Sequence, residues 1–326
     1  MTVKLSSFKM PVDLDSAAIF AGLIFVGILA TSAVLWIVHL QRDQHQFACE
    51  AGVPGWPIGW INFGIFLCTL VTSVVVVQLF AGELIHLMNP VEATAIADKV
   101  ELETAADLVS SEDTLATERP ALTPWMAVLA VLLLQLPLLG AFCALRRFYP
   151  KHFAGRLNSQ CLTLWQSLAQ AIPLFIRYLP IIWIVSFAWS GLLTELQQRG
   201  IIDEFPPQEL IKLFTNGGDP TAIALLAVFA VVLAPIVEEF IFRGGIYRFL
   251  KSQATILPAQ IISGAFFAVM HGNLMSFLPL VVVGIILARV YERSGSILVP
   301  MCFHACFNGF SLLMLLIMSQ SSFPIN

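Results

Sequence analysis

Long apolar runs dominate this chain and decide what it can fold into. In hydrocarbon every backbone N–H and C=O must be satisfied within its own segment, so such runs become helices. About 20 residues at 1.5 Å each span the roughly 30 Å core of a bilayer. The runs fall near residues 17–40, 57–82, 122–145, 173–196, 221–237 with a polar-marked continuation to 251, 256–270, 277–290 and 297–318. The expected fold is all-α, a polytopic membrane helical bundle of about eight transmembrane helices. Composition agrees: 58% of residues are hydrophobic and 12% charged. That is half the roughly 25% charge of a soluble domain, which excludes an ordinary water-soluble globule. Membrane lipids are the expected surroundings. The 17 Lys and Arg are thinly spread and form no basic stripe, so nucleic acid is not an expected partner.

The first run has no strongly basic lead and no clear small-residue cleavage site, and reads as a retained helix rather than a signal peptide. Lys and Arg in short loops set orientation. Arg146, Arg147, Lys151 and Arg156 follow the third run, Arg248 and Lys251 the fifth, and Arg289 and Arg293 the seventh. Two crossings separate each cluster from the next, so all three are expected in the cytoplasm and both termini outside; Lys4 and Lys9 oppose that placement for the amino end. Two regions are expected. Residues 1–121 form a two-helix membrane region with an acidic loop at 89–120, read as a solvated connector, and 122–326 form a bundle that holds the polar motifs at 238–308. A second connector, 197–220, carries the turn formers Phe205-Pro206-Pro207 and Asn216-Gly217-Gly218-Asp219. There is no internal repeat of the kind many transporters show.

Charges inside a span are costly and mark functional candidates. Four clusters stand out in the last third: Glu238-Glu239 with Arg243, Phe267 with His271, His304 with Asn308, and Gly244-Gly245. Residues four apart share a helix face, so Glu239 is expected to pair with Arg243. Glu238, about 100° round the helix, is left as the spare carboxylate. A buried carboxylate without a cation holds a proton more readily than one in water, which suits a general acid or base. The bland alternative is one structural ion network of both acids and Arg243. His271 ends an apolar helix with Phe267 on its own face; His304 and Asn308 share a face in the last run, where interhelical hydrogen bonding is the competing account.

Depth ties these positions together. Glu238 lies thirteen residues above Lys251 and His271 thirteen above Pro258, about 20 Å in each case, so the two can meet. His304 and Asn308, counted from Ser296, reach about 12 Å and 18 Å. The four side chains are expected to line one buried pocket opening toward the cytoplasm, with Pro235 breaking or kinking the helix just before the acids. Cys302 and Cys306 sit about 200° from His304 and read as apolar packing, not as metal ligands.

Read together, Glu238-Glu239-Phe240-Ile241-Phe242-Arg243-Gly244, Phe267-Ala268-Val269-Met270-His271 and His304-Ala305-Cys306-Phe307-Asn308 resemble the three signature motifs of the CPBP family. That family comprises the CAAX prenyl endopeptidases and the bacterial bacteriocin-processing and self-immunity proteins often labelled Abi. The resemblance covers about 221–318, a CAAX-protease-like core in the carboxy-terminal half, and includes the lead-in from Tyr291 through Ser296 to Pro300. It implies an intramembrane endopeptidase in which Glu238 with His271 activates water and His304 with Asn308 stabilises the oxyanion. Glu239, Arg243 and Phe267 are supporting residues in that picture. Members have also been described as metalloproteases, and Glu238, His271 and His304 are the expected set if zinc is bound, though metal-free chemistry is the favoured reading. The implied substrate is a membrane-associated peptide or protein, and the expected location a bacterial inner membrane, as a multi-pass protein. There is no His-Glu-x-x-His; Ser311 after Gly309-Phe310 lacks a rhomboid's following glycine; and Gly217-Gly218-Asp219 is not Gly-x-Gly-Asp. The alternative is a non-catalytic immunity protein, or a carrier that keeps the polar cluster for proton relay.

Overall fold

The computed structural model describes residues 16–41, 52–88, 123–153, 155–203 and 219–319. The loop at 89–120, Lys4, Lys9, and 205–207 and 216–218 of the second connector lie outside the described residues. Among the described residues there is no strand. Eight main helices follow in order: α1 Ser16–Gln41, α2 Trp60–Met88, α3 Pro124–Phe148, α4 Leu164–Gln198, α5 Pro220–Gln253, α6 Ile256–Met270, α7 Leu274–Ser294 and α8 Leu298–Ser319. Seven are long and apolar enough to cross a membrane, and this is a multi-pass membrane protein. The eighth, α6, has only 15 residues, about 22 Å of helix, which is short of the bilayer core. The expected count of about eight thus resolves into seven full spans and one short helix that ends at His271.

Two boundaries differ from expectation for physical reasons. The span expected to open at Pro173 begins at Leu164, where Thr163 and Gln166 form a reciprocal capping box. Pro173 and Pro180 then lie inside α4, as prolines do in membrane helices whose neighbours re-satisfy the freed backbone. The fifth run is one 34-residue helix, but Phe229–Leu233 and Phe242–Tyr247 within it are wound as π-helix. Such bulges are rare and favour functional sites.

The connections α1–α2, α3–α4, α5–α6 and α7–α8 gather at one end of the bundle. Trp56 N–H donates to Arg248 O at 2.9 Å, and Arg248 Nε donates to Pro54 O at 2.8 Å. Lys251 Nζ donates to Val53 O at 2.7 Å and pairs with Glu292. Asn158 Oδ1 accepts from Ile297 N–H at 2.8 Å, and Tyr291 Oη donates to Leu157 O. This end carries the three basic clusters, as alternating crossings require. At the other end Asp219 caps α5 by accepting from Thr221 N–H at 2.8 Å, and it also accepts from Trp125 Nε1 of α3 at 2.8 Å.

Glycines set the closest approaches. A methyl group on Gly284 of α7 would lie 2.6 Å from Cα of Gly264 of α6, so the two backbones touch. A methyl on Gly245 would lie 2.7 Å from Phe66 Cζ. Of the Gly244-Gly245 pair that stood out in the sequence, Gly245 is thus a notch that receives Phe66 of α2, while Gly244 faces Leu157, Ile297 and Phe142.

Candidate active site

The motif helix turns two consecutive acids toward different neighbours. Ala234–Ile241 is regular α-helix between the two π segments and carries Pro235, Glu238 and Glu239. Glu239 and Arg243 are fully buried and pair at 2.9 Å, as their spacing led one to expect. Arg243 Nη2 also donates to Gly284 O at 3.0 Å. The same Glu239 Oε1 meets Nδ1 of His304 at 2.9 Å. A carboxylate on one ring nitrogen fixes the orientation of an imidazole and leaves its other nitrogen free to work.

Glu238 is the acid without a cation of its own. Its Oε2 lies 3.8 Å from His304 Nε2 and 3.9 Å from His271 Nε2, and has no hydrogen-bond partner among the described residues. These separations exceed a direct hydrogen bond and suit a shared water or a reacting group between the three atoms. His271 Nδ1 is 2.7 Å from Phe267 O, so as a donor to that carbonyl it keeps a lone pair on Nε2, toward Glu238. The equal depth expected for Glu238 and His271 is met. His271 caps the short α6 and its side chain is one-third exposed, whereas the His304 side chain is 4% exposed.

Phe267 fills the space behind the pair of histidines. Its ring centroid is 4.6 Å from that of His271 and 5.6 Å from that of His304, and the Arg243 guanidinium carbon sits 4.8 Å from it. An aromatic face toward a buried guanidinium adds attraction without needing another acid.

Asn308 stands apart from the other three. Its Nδ2 donates to Ala230 O at 2.8 Å. Ala230 lies in the first π segment, where Ala234 N–H reaches back to Phe229 O. The next residue, Pro235, has no N–H. Ala230 O therefore loses the donors its own helix would supply, and Asn308 fills the gap from α8. The second π segment is served similarly by Ser263 Oγ, 3.5 Å from Phe242 O. Sequence reading missed Ala230, Ser263, Gly264 and Gly284. Only Pro235 gave a local signal of the first irregularity.

The expected zinc set does not fit a metal as placed. Donors around one tetrahedral zinc lie about 3.3 Å apart, against 3.8 and 3.9 Å here. Among the described residues no group of three His, Cys, Asp or Glu side chains is arranged to hold a metal ion. Cys302 is buried among apolar side chains.

These residues all lie within one matched segment. Residues 220–310 match the family model Type II CAAX prenyl endopeptidase Rce1-like. The site segment is similar to that family. A stretch of 93 residues is 32% identical to the "Putative membrane peptidase YdiL" of Bacillus subtilis (strain 168), covering 28% of this chain and 38% of that one. Another comparison, over 101 residues, is 33% identical to an "Uncharacterized 24.3 kDa protein" of Escherichia coli, covering 29% of this chain and 46% of its counterpart. The chain spans less than half the length of these curated relatives. No solved structure matches.

Proposed function

We propose that the chain is an intramembrane endopeptidase that hydrolyses peptide bonds of membrane-associated substrates, from a site in a bacterial inner membrane. The observation that carries this reading is Glu238 Oε2, unpaired and 3.8 to 3.9 Å from two imidazole nitrogens. A water held there gives one proton to the Glu238 carboxylate and hydrogen-bonds through the other to His271 Nε2. Its oxygen attacks the peptide carbonyl, and Glu238 then passes the proton to the leaving amine.

In this reading His304 is the donor to the oxyanion, because Glu239 holds its Nδ1 and leaves Nε2 turned toward Glu238. His304 then donates Nδ1–H to Glu239 and Nε2–H to the developing oxyanion. Asn308 is the second residue implied for that oxyanion. To serve there its amide must leave Ala230 O; in the present geometry it positions the turn ahead of Glu238. The water-activation steps use no metal.

The test is cleavage of a broad peptide library by the purified full chain in detergent, for wild type and Glu238→Ala, with and without a strong chelator. Cleavage lost in the variant and kept with chelator supports the reading. Loss with chelator, restored by zinc, moves the chemistry to a metal; equal cleavage by Glu238→Ala removes the role given to Glu238. A proton-relay or immunity protein with the same polar cluster shows no cleavage while folded.

A further inference from the structure

A second polar cluster lies outside the matched motifs, at the basic end of the bundle between α1, α4 and α7. Arg177 of α4 is 9% exposed, and its Nε has no hydrogen-bond partner among the described residues. Its guanidinium carbon lies 5.2 Å from the Trp36 ring centroid and 5.1 Å from that of Tyr178. Arg289 and Arg293 are exposed on one face of α7, four residues apart. These three arginines and His39 are near enough to act on one another electrostatically, and no carboxylate is among the charges acting on His39 or Arg293. The salt bridges among the described residues use other cations.

Three helix positions put this cluster at headgroup level. Trp36 is five residues from the end of α1 and Arg289 five from the end of α7, about 8 Å inside each. Arg177 is level with Trp36 because its carbonyl accepts from Trp36 Nε1 at 3.0 Å and from Ser32 Oγ at 3.1 Å. A positive charge at the cytoplasmic end serves orientation wherever it stands in the loops. Orientation alone does not require a guanidinium buried against two aromatic rings with an Nε left without a partner among the described residues.

We propose that this corner binds the phosphate of an anionic phospholipid from the leaflet at the basic end, and that the lipid bridges α1 to α4 and α7. Guanidinium forks match phosphate oxygens, and Trp36 and Tyr178 supply the amphipathic rings that sit at headgroup depth. Basic pockets between membrane helices on this side are suited to anionic headgroups.

The experiment titrates the full chain in detergent with phosphatidylglycerol or phosphatidylcholine, reading retained lipid by native mass spectrometry and the thermal midpoint by tryptophan fluorescence. Arg289→Gln/Arg293→Gln tests the site through two exposed residues, with exposed Arg147→Gln as a charge control. Phosphatidylglycerol is expected to raise the wild-type midpoint and to bind the double variant about thirty-fold more weakly, roughly 1 kcal/mol for each arginine. Arg147→Gln behaves as wild type. Equal retention by wild type and the double variant, equal retention of phosphatidylcholine, or the same gain from inorganic phosphate alone overturns the proposal.

Discussion

Removing both charges of the buried Glu239–Arg243 pair should cost less than the two single removals added together. The two groups lie 2.9 Å apart with side chains fully buried. At that distance and an effective dielectric near 20 their attraction is about 6 kcal/mol. Desolvation offsets part of it, and removing a single partner from a buried pair costs about 3–5 kcal/mol because the other charge is stranded. Glu239→Gln strands Arg243, which is left with Gly284 O and the Phe267 face. Arg243→Met strands Glu239 against His304. The double variant strands neither, and should be less destabilised than the sum of the singles by about 2–3 kcal/mol. Unfolding of the detergent-solubilised chain by sodium dodecyl sulfate, followed by tryptophan fluorescence, measures all four proteins. Additivity within about 0.5 kcal/mol would refute the coupling.

Glu238→Gln should lower peptide cleavage by about 10²–10⁴-fold while leaving the unfolding midpoint unchanged; a large midpoint shift would mean the carboxylate serves the fold. Gly284→Ala forces a methyl to within 2.6 Å of the Gly264 backbone and should cost about 1–3 kcal/mol in the same unfolding assay. Asn308→Ala leaves Ala230 O without its donor, at about 1–3 kcal/mol. Adding Pro235→Ala supplies, next to Ala234, an N–H that Ala230 O can accept and should recover part of that loss; no recovery would sink this account of the turn. Asp219, at the other end, is held below the ordinary carboxylate range by Trp125 Nε1–H and by Thr221 N–H. A depressed carboxylate contributes its stability above the ordinary value and loses it as pH falls through the lower folded one. The midpoint advantage of wild type over Asp219→Asn should therefore be full at pH near 7 and shrink below about pH 4; a constant difference across that range contradicts it.

What the sequence made legible was local. Helix positions followed from apolar runs, the Glu239–Arg243 pair from four-residue spacing, and the meeting of Glu238 with His271 from helical rise alone. What stayed hidden depends on contacts between distant segments. His304 grips Glu239 across 65 positions, and Asn308 reaches Ala230 across 78. The π segments follow from a slip of hydrogen bonding that a donor on another helix stabilises, so Pro235 hinted at a break without showing its form. Gly264 and Gly284 carry no periodic signal in apolar runs, although their backbones touch and Gly284 O accepts from Arg243. The amino-terminal end of α4 was obscured because Pro173 looks like a helix start and is an interior residue.

Why two consecutive acids occupy the motif follows from His304. Neighbouring residues on a helix point about 100° apart, so their carboxylates cannot share one face. The two nitrogens of one imidazole also point apart. His304 presents Nδ1 to Glu239 at 2.9 Å and Nε2 toward Glu238 at 3.8 Å, and so bridges the angle between the acids. Glu239, locked by Arg243, fixes the ring, and the ring fixes where Glu238 meets the remaining nitrogen. Moving either acid by one position would break this arrangement by rotating its carboxylate away from its ring nitrogen. A swap that preserves charge, such as Glu238→Asp, keeps the direction and shortens the reach by one methylene. It should therefore retain the fold and lose cleavage, with the Glu239–His304 contact intact; full activity in Glu238→Asp would show that the position of the Glu238 carboxylate relative to the two imidazoles does not govern the chemistry.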